Sequence, residues 1–272
     1  MIAFSIVVPT LDRPRELARC LAAIERLDYA HDSFEVIVVD DGGRAPVRAR
    51  GARVIRQANA GPAAARNRGA AAARGRWIAF TDDDCEPAPD WLISLQRPLE
   101  RGVAAVAGRA TNGEPDSACA RAGQLLIDHL LRHYNRDPRD ARFATSNNLA
   151  VERRTLLVAG GFDRSFARAA GEDRELVHRL RGLGHRIAYE PRAVVAHHHR
   201  QDVAAFWRQH YGYGRAAVQF RERTGGMRVE RLSFYRDLVR APRPGLSALL
   251  ALTQVANAAG FAHESIARGR AR

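Results

Sequence analysis

The chain has 272 residues, 46% hydrophobic and 27% charged, which is enough for one large soluble domain or one domain and a tail. Its net charge of +13 comes from Arg alone and favours anionic partners such as nucleotide phosphates, acidic lipid head groups or nucleic acid. The Arg residues are dispersed, which argues against a dedicated nucleic-acid stripe. The three Cys lack CxxC spacing, so they imply neither a disulfide framework nor a zinc site and fit a reducing, cytoplasmic location.

The N-terminus enters a strand at once, Phe4 to Thr10, with no signal-peptide pattern before it. Leu17, Leu21, Ile24 and Leu27 recur at helical spacing over 15–27. Phe34 to Gly42 reads as a second strand that runs into two acids and a glycine turn, and a short strand is expected at Val54 and Ile55. The Ala-rich segment 61–75 favours helix, and Trp77 to Phe80 is another strand. This alternation predicts an α/β fold with a parallel, doubly wound sheet, in which ligands bind beyond the carboxyl ends of the strands. Pro9-Thr10, Asp40-Asp41 and Asp82 to Asp84 all lie at such ends and are expected to meet on one edge.

The middle of the chain is less regular. A helix is expected over 90–101, a strand over 103–108, a helix over 117–134, and a strand with an Asn-rich turn over 144–151. A short helix over 155–159 stops at Gly160-Gly161-Phe162, and another runs from Glu172 to Leu183. Ile187 to Tyr189 and Ala193 to His197 read as two strands. From Val203 the pattern is helical, broken by the glycines at 225–226 and by Pro242-Arg243-Pro244. The last apolar stretch, 245–262, carries Ser247, Thr253, Gln254 and Asn257, and reads as a packed or interfacial helix rather than a membrane span.

Chemistry concentrates where acids cluster. Asp82-Asp83-Asp84 follows a buried strand, and packed like charges are costly without a cation, so the triplet is either a divalent-metal site or a solvated acidic turn. Asp40-Asp41-Gly42 is either a carboxylate contact to a base or ribose, or a solvated turn. Arg66, beside a helix start, either assists phosphate binding or lies on a basic surface face. Glu172-Asp173 opens a helix, where acids complement the dipole or, alternatively, one removes a proton from an attacking hydroxyl. His197-His198-His199 ends a strand, with His197 and His199 on one side as candidate metal or phosphate contacts.

Taken in order, Val7-Val8-Pro9-Thr10, Val38-Val39-Asp40-Asp41-Gly42, the segment Gly61 to Gly69 with Arg66-Asn67, and Phe80 to Asp84 resemble family 2 glycosyltransferases of the GT-A fold. Ser146-Asn147-Asn148, Gly160-Gly161-Phe162-Asp163 and Gly171-Glu172-Asp173 continue the resemblance, which covers about residues 3 to 200. The Tyr189-Glu190-Pro191 to His197-x-His199-Arg200 ending resembles the mycofactocin-cluster subgroup. Two positions depart from the pattern: Gly43 stands where Ser is usual, and Asp83 where a small residue is usual.

The resemblance implies a GT-A, Rossmann-like, mostly parallel sheet flanked by helices in residues 1–200, with a C-terminal helical extension over 201–272. It implies an inverting, metal-dependent transfer from a UDP-, GDP- or dTDP-sugar to a glycan, lipid-linked or small-molecule acceptor. Asp173 with Glu172 would be catalytic. Pro9, Thr10, Asp40, Asp41, Arg66, Asp82 and Asp83 would bind the nucleotide sugar. Asp84 and His197 would ligate Mg2+ or Mn2+, and Asn147, Asn148 and Gly161 would meet the acceptor. The expected location is cytoplasmic, with peripheral contact at the inner membrane face and no nucleic-acid partner. A sugar nucleotidyltransferase, or a non-catalytic nucleic-acid-binding module, is the competing reading. The first should carry a Gly-rich basic loop where Pro9-Thr10-Leu11-Asp12-Arg13 stands, and the second leaves the clustered acids unexplained.

Overall fold

Runs of β-branched and aromatic residues form the strands, and Pro or Gly punctuates them. The computed structural model describes residues 2–166, 170–225, 230–241 and 243–270. In chain order the elements begin β1 (Phe4–Thr10), α1 (Pro14–Glu25), β2 (Phe34–Asp40), β3 (Arg53–Arg56), α2 (Pro62–Ala72), β4 (Trp77–Phe80), β5 (Cys85–Pro87), α3 (Trp91–Glu100) and β6 (Ala105–Asn112). They continue with α4 (Ala118–Tyr134), β7 (Leu149–Glu152), α5 (Arg153–Val158), α6 (Glu172–Gly182), β8 (Ile187–His197), α7 (Val203–Thr224), α8 (Leu232–Val239) and α9 (Pro244–Arg270).

The strands form one sheet in the order β3-β2-β1-β4-β7-β6-β8-β5. β3, β2, β1 and β4 run parallel, as the alternation of strands and helices predicts. β7 is antiparallel to both β4 and β6, so β6 shares the direction of the first four; β5 and β8 are antiparallel to each other, so one of them does too, and six of the eight strands run one way. The result is a mixed α/β sheet, mostly parallel. Alternation along β1 sends Phe4, Ile6 and Val8 to one face, against Leu17, Cys20 and Ile24 of α1 and Trp91, Leu92 and Leu95 of α3. Val7 faces the other side, with Ile37, Val39, Ile78 and Phe80, against the Ala face of α2 and Leu176, Val177 and Leu180 of α6. Each fully buried large apolar side chain contributes about 1.5–3 kcal/mol.

Two local expectations change. The Asn-rich segment is a 3₁₀ turn, Ser146–Asn148, and its strand begins only at Leu149. The segment read as two strands is one, β8, which passes through Pro191 while Pro191 and Arg192 face solvent. A proline on an exposed stretch of strand does not force a break.

The chain folds as two compact units, Met1–Thr111 with Tyr134–His198, and Asn112–His133 with His199–Arg272. The second unit gathers Cys119, Ala122 and Leu126 of α4 with Phe206, Leu238, Leu246 and Leu250 of the C-terminal helices. Most of α4 therefore packs with α7 to α9. Gly226 and Pro242, part of the expected helix breaks, lie outside the described residues; Pro244 opens α9. Among the described residues one helix, α9, is long and apolar enough to cross a membrane by length and composition, with 28% of its most apolar window buried.

Candidate active site

The carboxyl ends of β1, β2 and β4 lie on one edge because the three strands are parallel and in register, Thr10 opposite Asp40 and Val7 opposite Phe80. Thr10 Oγ1 donates to Asp83 Oδ2 at 2.7 Å, and the Asp41 N–H donates to the Thr10 carbonyl at 3.0 Å. Pro9, half-buried, precedes Thr10 on the same strand. Arg13, which sequence reasoning overlooked, donates through Nη1 to Asp83 Oδ1 at 3.1 Å and to Asp84 Oδ2 at 2.9 Å. Its position in the turn after β1, at the ligand-binding edge, was the available signal. Burial pushes the Asp83 carboxyl up to about 6 against the Thr10 hydrogen bond and the Arg13 charge, and Asp84 and Asp82 add repulsion.

Asp40 and Asp41 have internal partners. Asp40 is fully buried and accepts from the Gly43 and Val47 N–H groups at 3.0 and 3.2 Å, with Arg56 Nη1 at 3.3 Å. Asp41 accepts from Gln57 Nε2 at 2.7 Å and from the Ala60 and Gly61 N–H groups at 3.0 and 2.9 Å. These bonds shape the loops after β2 and β3 beside Thr10.

β5 and β8 pair antiparallel with Cys85 opposite His197, a short strand that sequence reasoning did not separate from the acidic turn. This brings His197 Nε2 to 3.4 Å from Asp84 Oδ1. Cys85 Sγ lies 3.8 Å from the same oxygen, and ligand atoms of all three residues lie within 4.8 Å of one another. Burial works to lower the His197 imidazole, but the hydrogen bond and charge of Asp84 outweigh it and hold it above its ordinary value. Carboxylate and imidazole together suit a divalent cation such as Mn2+, so the residues present fit such an ion. His198 Nε2 instead turns to Glu86 Oε1 at 3.0 Å.

On the far side, Gly171 adopts a left-handed conformation (φ 92°) that turns the chain into α6 and starts it with Glu172 and Asp173. Asp173 Oδ2 accepts from the Ser146 N–H at 3.2 Å and Oδ1 from the Arg174 N–H at 2.7 Å. Burial nonetheless raises its carboxyl above the ordinary range. Arg66 connects the two clusters: Nη2 donates to Asp82 Oδ1 at 2.7 Å and Nη1 to Glu172 Oε1 at 3.0 Å. Two acids bond the one guanidinium and Asp173 lies close by; burial and the Asp173 charge push Glu172 up to about 7 against the pull of Arg66.

Asn67, which the sequence motif contained but to which no role was given, fixes the neighbouring loop by accepting from the Phe162 N–H and donating to the Phe162 carbonyl, both at 2.8 Å. Phe162 in turn packs under Arg66, whose guanidinium carbon lies 5.7 Å from the ring centroid. Gly161 has φ 72°, and a Cβ there would run into the Asn67 carboxamide. Asn148 is fully buried: it accepts from Trp91 Nε1 at 2.9 Å and donates to the Arg109 and Ala193 carbonyls at 3.0 and 2.8 Å. Asn147 Oδ1 accepts from Thr145 Oγ1 at 2.7 Å.

A family model for Glycosyl transferase family 2 matches residues 5–156, from β1 through α5. The chain is 32% identical over 227 residues to a pre-mycofactocin glycosyltransferase of Mycobacterium tuberculosis, covering 79% of this chain and 46% of that protein. It is 26% identical over 238 residues to an N-acetylglucosaminyltransferase of Sinorhizobium fredii, covering 79% of this chain and 57% of the relative. The chain thus spans about half the length of the curated relatives it matches. Among solved structures, the mannosyltransferase PcManGT from Pyrobaculum calidifontis, in complex with GDP-Man and Mn2+, superposes with a TM-score of 0.60 at 18% identity, covering 98% of this chain and 74% of that one. TarS of S. aureus gives 0.56 at 14% identity, covering 100% and 92%. These two likenesses establish the fold as GT-A-like. With the family model spanning more than half of the chain and including the edge where Thr10, Arg66 and Asp82 to Asp84 meet, the chain belongs to glycosyltransferase family 2.

Proposed function

We propose that this protein is an inverting glycosyltransferase that moves a sugar from a UDP-, GDP- or dTDP-sugar to an acceptor hydroxyl, with Mg2+ or Mn2+ bound. The observation that carries this reading is the meeting of two acidic clusters, Asp82 to Asp84 and Glu172-Asp173, on the single buried guanidinium of Arg66. One cluster suits a cation and a diphosphate; the other suits a base. A solved protein of the same fold holds GDP-Man and Mn2+, which supports both a nucleotide-sugar donor and a divalent ion.

Asp173 takes the proton of the acceptor hydroxyl as that oxygen bonds to the anomeric carbon. The bond from that carbon to the diphosphate oxygen breaks, and its electron pair leaves with the diphosphate. One displacement with one base inverts the configuration, and no second carboxylate need flank the sugar as in a glycosidase. The raised carboxyl of Asp173 gives it the basicity the task needs. The Ser146 and Arg174 N–H groups hold it in place, and the charges of Glu172 and Arg66 act on it from nearby. Asp84 and His197 would hold the cation, which when bound offsets charge developing on the departing diphosphate. Pro9, Thr10 and Asp41 line the nucleotide pocket, Asp40 shapes its loop, and Asp82 and Asp83 border the ribose and diphosphate. Asn147 and the Gly161 loop border the acceptor, while Asn148 supports them from the core.

Residues 1–200 carry the transfer, and 201–272 contribute acceptor or membrane-surface contacts. The acceptor is a glycan, a lipid-linked glycan or a small molecule, and the protein works in the cytoplasm with the apolar α9 and surrounding Arg residues against an anionic membrane face. The test is Asp173→Asn. It should keep donor-induced thermal stabilisation and lose transfer by about 10²–10⁴-fold. Undiminished transfer removes Asp173 as the base.

A further inference from the structure

We propose that Cys85 is a third cation ligand beside Asp84 and His197, making this corner a site for thiophilic divalent cations such as Zn2+. The proposal rests on the reading of Asp84 and His197 as cation ligands and adds to it a means of regulation.

Residues directly opposite in an antiparallel pair present their side chains on the same face, and Cys85 lies opposite His197. Asp84 divides its two oxygens: Oδ2 is held by Arg13 at 2.9 Å, while Oδ1 faces His197 Nε2 at 3.4 Å and Cys85 Sγ at 3.8 Å. The third separation closes the triangle within 4.8 Å. A tetrahedral zinc with its usual bond lengths spaces its ligands at roughly 3.3–3.6 Å. Two sides of the triangle therefore come within a few tenths of an ångström of a zinc site without backbone movement.

Hard cations such as Mg2+ prefer oxygen, whereas a thiolate selects zinc-like ions. On binding, the Cys85 proton leaves to solvent as the sulfur–cation bond forms, and no sulfur is oxidised. Three protein ligands leave a tetrahedral ion a single open position, whereas an octahedral ion held by Asp84 and His197 keeps several for a diphosphate. Zn2+ at this corner therefore blocks transfer by displacing the working ion.

The test is titration of the full chain with Co2+, followed by absorption, with Zn2+ and Mn2+ affinities measured by competition. The wild type should show an intense near-ultraviolet thiolate-to-Co2+ band. Cys85→Ser should lose the band, still bind Mn2+, and bind Zn2+ at least about tenfold more weakly, the loss that even an outer-shell partner can cause. Cys85→Ala should behave alike, with circular dichroism confirming the fold. Asp84→Asn should weaken both ions. A wild type that binds Mn2+ without the Co2+ band, or a band that survives Cys85→Ser, overturns the proposal and leaves the Asp84–His197 reading standing. A wild type that binds neither ion overturns both.

Discussion

Arg66 and Glu172 lie 106 positions apart in the chain and meet at 3.0 Å, each with its side chain only 2% exposed. The pair joins the middle of α2 to the start of α6. A buried ion pair of this kind adds little net stability over a well-packed apolar pair, yet removing one partner strands the other charge. Arg66→Leu should therefore destabilise the protein by about 3–5 kcal/mol. Arg66→Leu with Glu172→Leu should recover part of that loss. Denaturant unfolding of the single and double variants measures the coupling, and a double variant no more stable than Arg66→Leu contradicts it.

Glu172 also sets a pH dependence. Its carboxyl is raised to about 7 in the folded protein by burial and by Asp173, above its unfolded value of about 4.5. The folded state then holds a proton that the unfolded state has released, so this contribution to stability is present below pH 4.5 and lost as pH rises through 7. Glu172→Gln should flatten the fall in stability over this window. Urea midpoints collected across it provide the check.

Transfer itself should respond in the opposite sense. Asp173 must be ionised to accept a proton, and burial holds its carboxyl above the ordinary range. Activity should fall on acidification with a midpoint above the usual aspartate value of about 4. A kcat–pH profile whose acid limb lies at that ordinary value speaks against the assignment.

Gly161→Ala tests the loop beneath Arg66. A side chain at φ 72° is strained by about 1–3 kcal/mol, and here it also displaces Asn67 from Phe162. The variant should melt lower and lose activity, with donor binding less affected than turnover.

The two asparagines of the 3₁₀ turn should behave differently. Asn148→Ala removes three buried hydrogen bonds and leaves Trp91 Nε1 unpartnered, at a cost of about 1–3 kcal/mol or more. Its effect should appear in stability. Asn147→Ala should appear in the acceptor KM. Thermal melts beside acceptor-saturation curves separate the two.

Much of this was legible in the sequence because strands and acid clusters are local signals. The alternation of Phe4, Ile6 and Val8 with Val7 marks a sheet covered on both faces, and helices between strands make its first half parallel. Parallel strands put Thr10, Asp40 and Asp82 on one edge with no further information. The partners of Arg13 and Asn67 were not legible. A lone basic or amide side chain has no periodicity, and what it meets is set by a segment folded from elsewhere. The placement of α4 was hidden for a similar reason: the spacing of Cys119, Ala122 and Leu126 says that a face is buried, and not against what.

The order of strand, helix and acid along the chain thus determined the α/β sheet and the edge where carboxylates collect, because backbone pairing and side-chain alternation are short-range rules. Only the tertiary structure decided which charges face which. It gave Asp82 and Glu172 a common guanidinium, turned Asp40 and Asp41 to their own loops, and set His197 across from Cys85. Electrostatic energy in a buried site depends on ångström-scale distances between groups far apart in sequence, and those distances exist only once the sheet has closed around them.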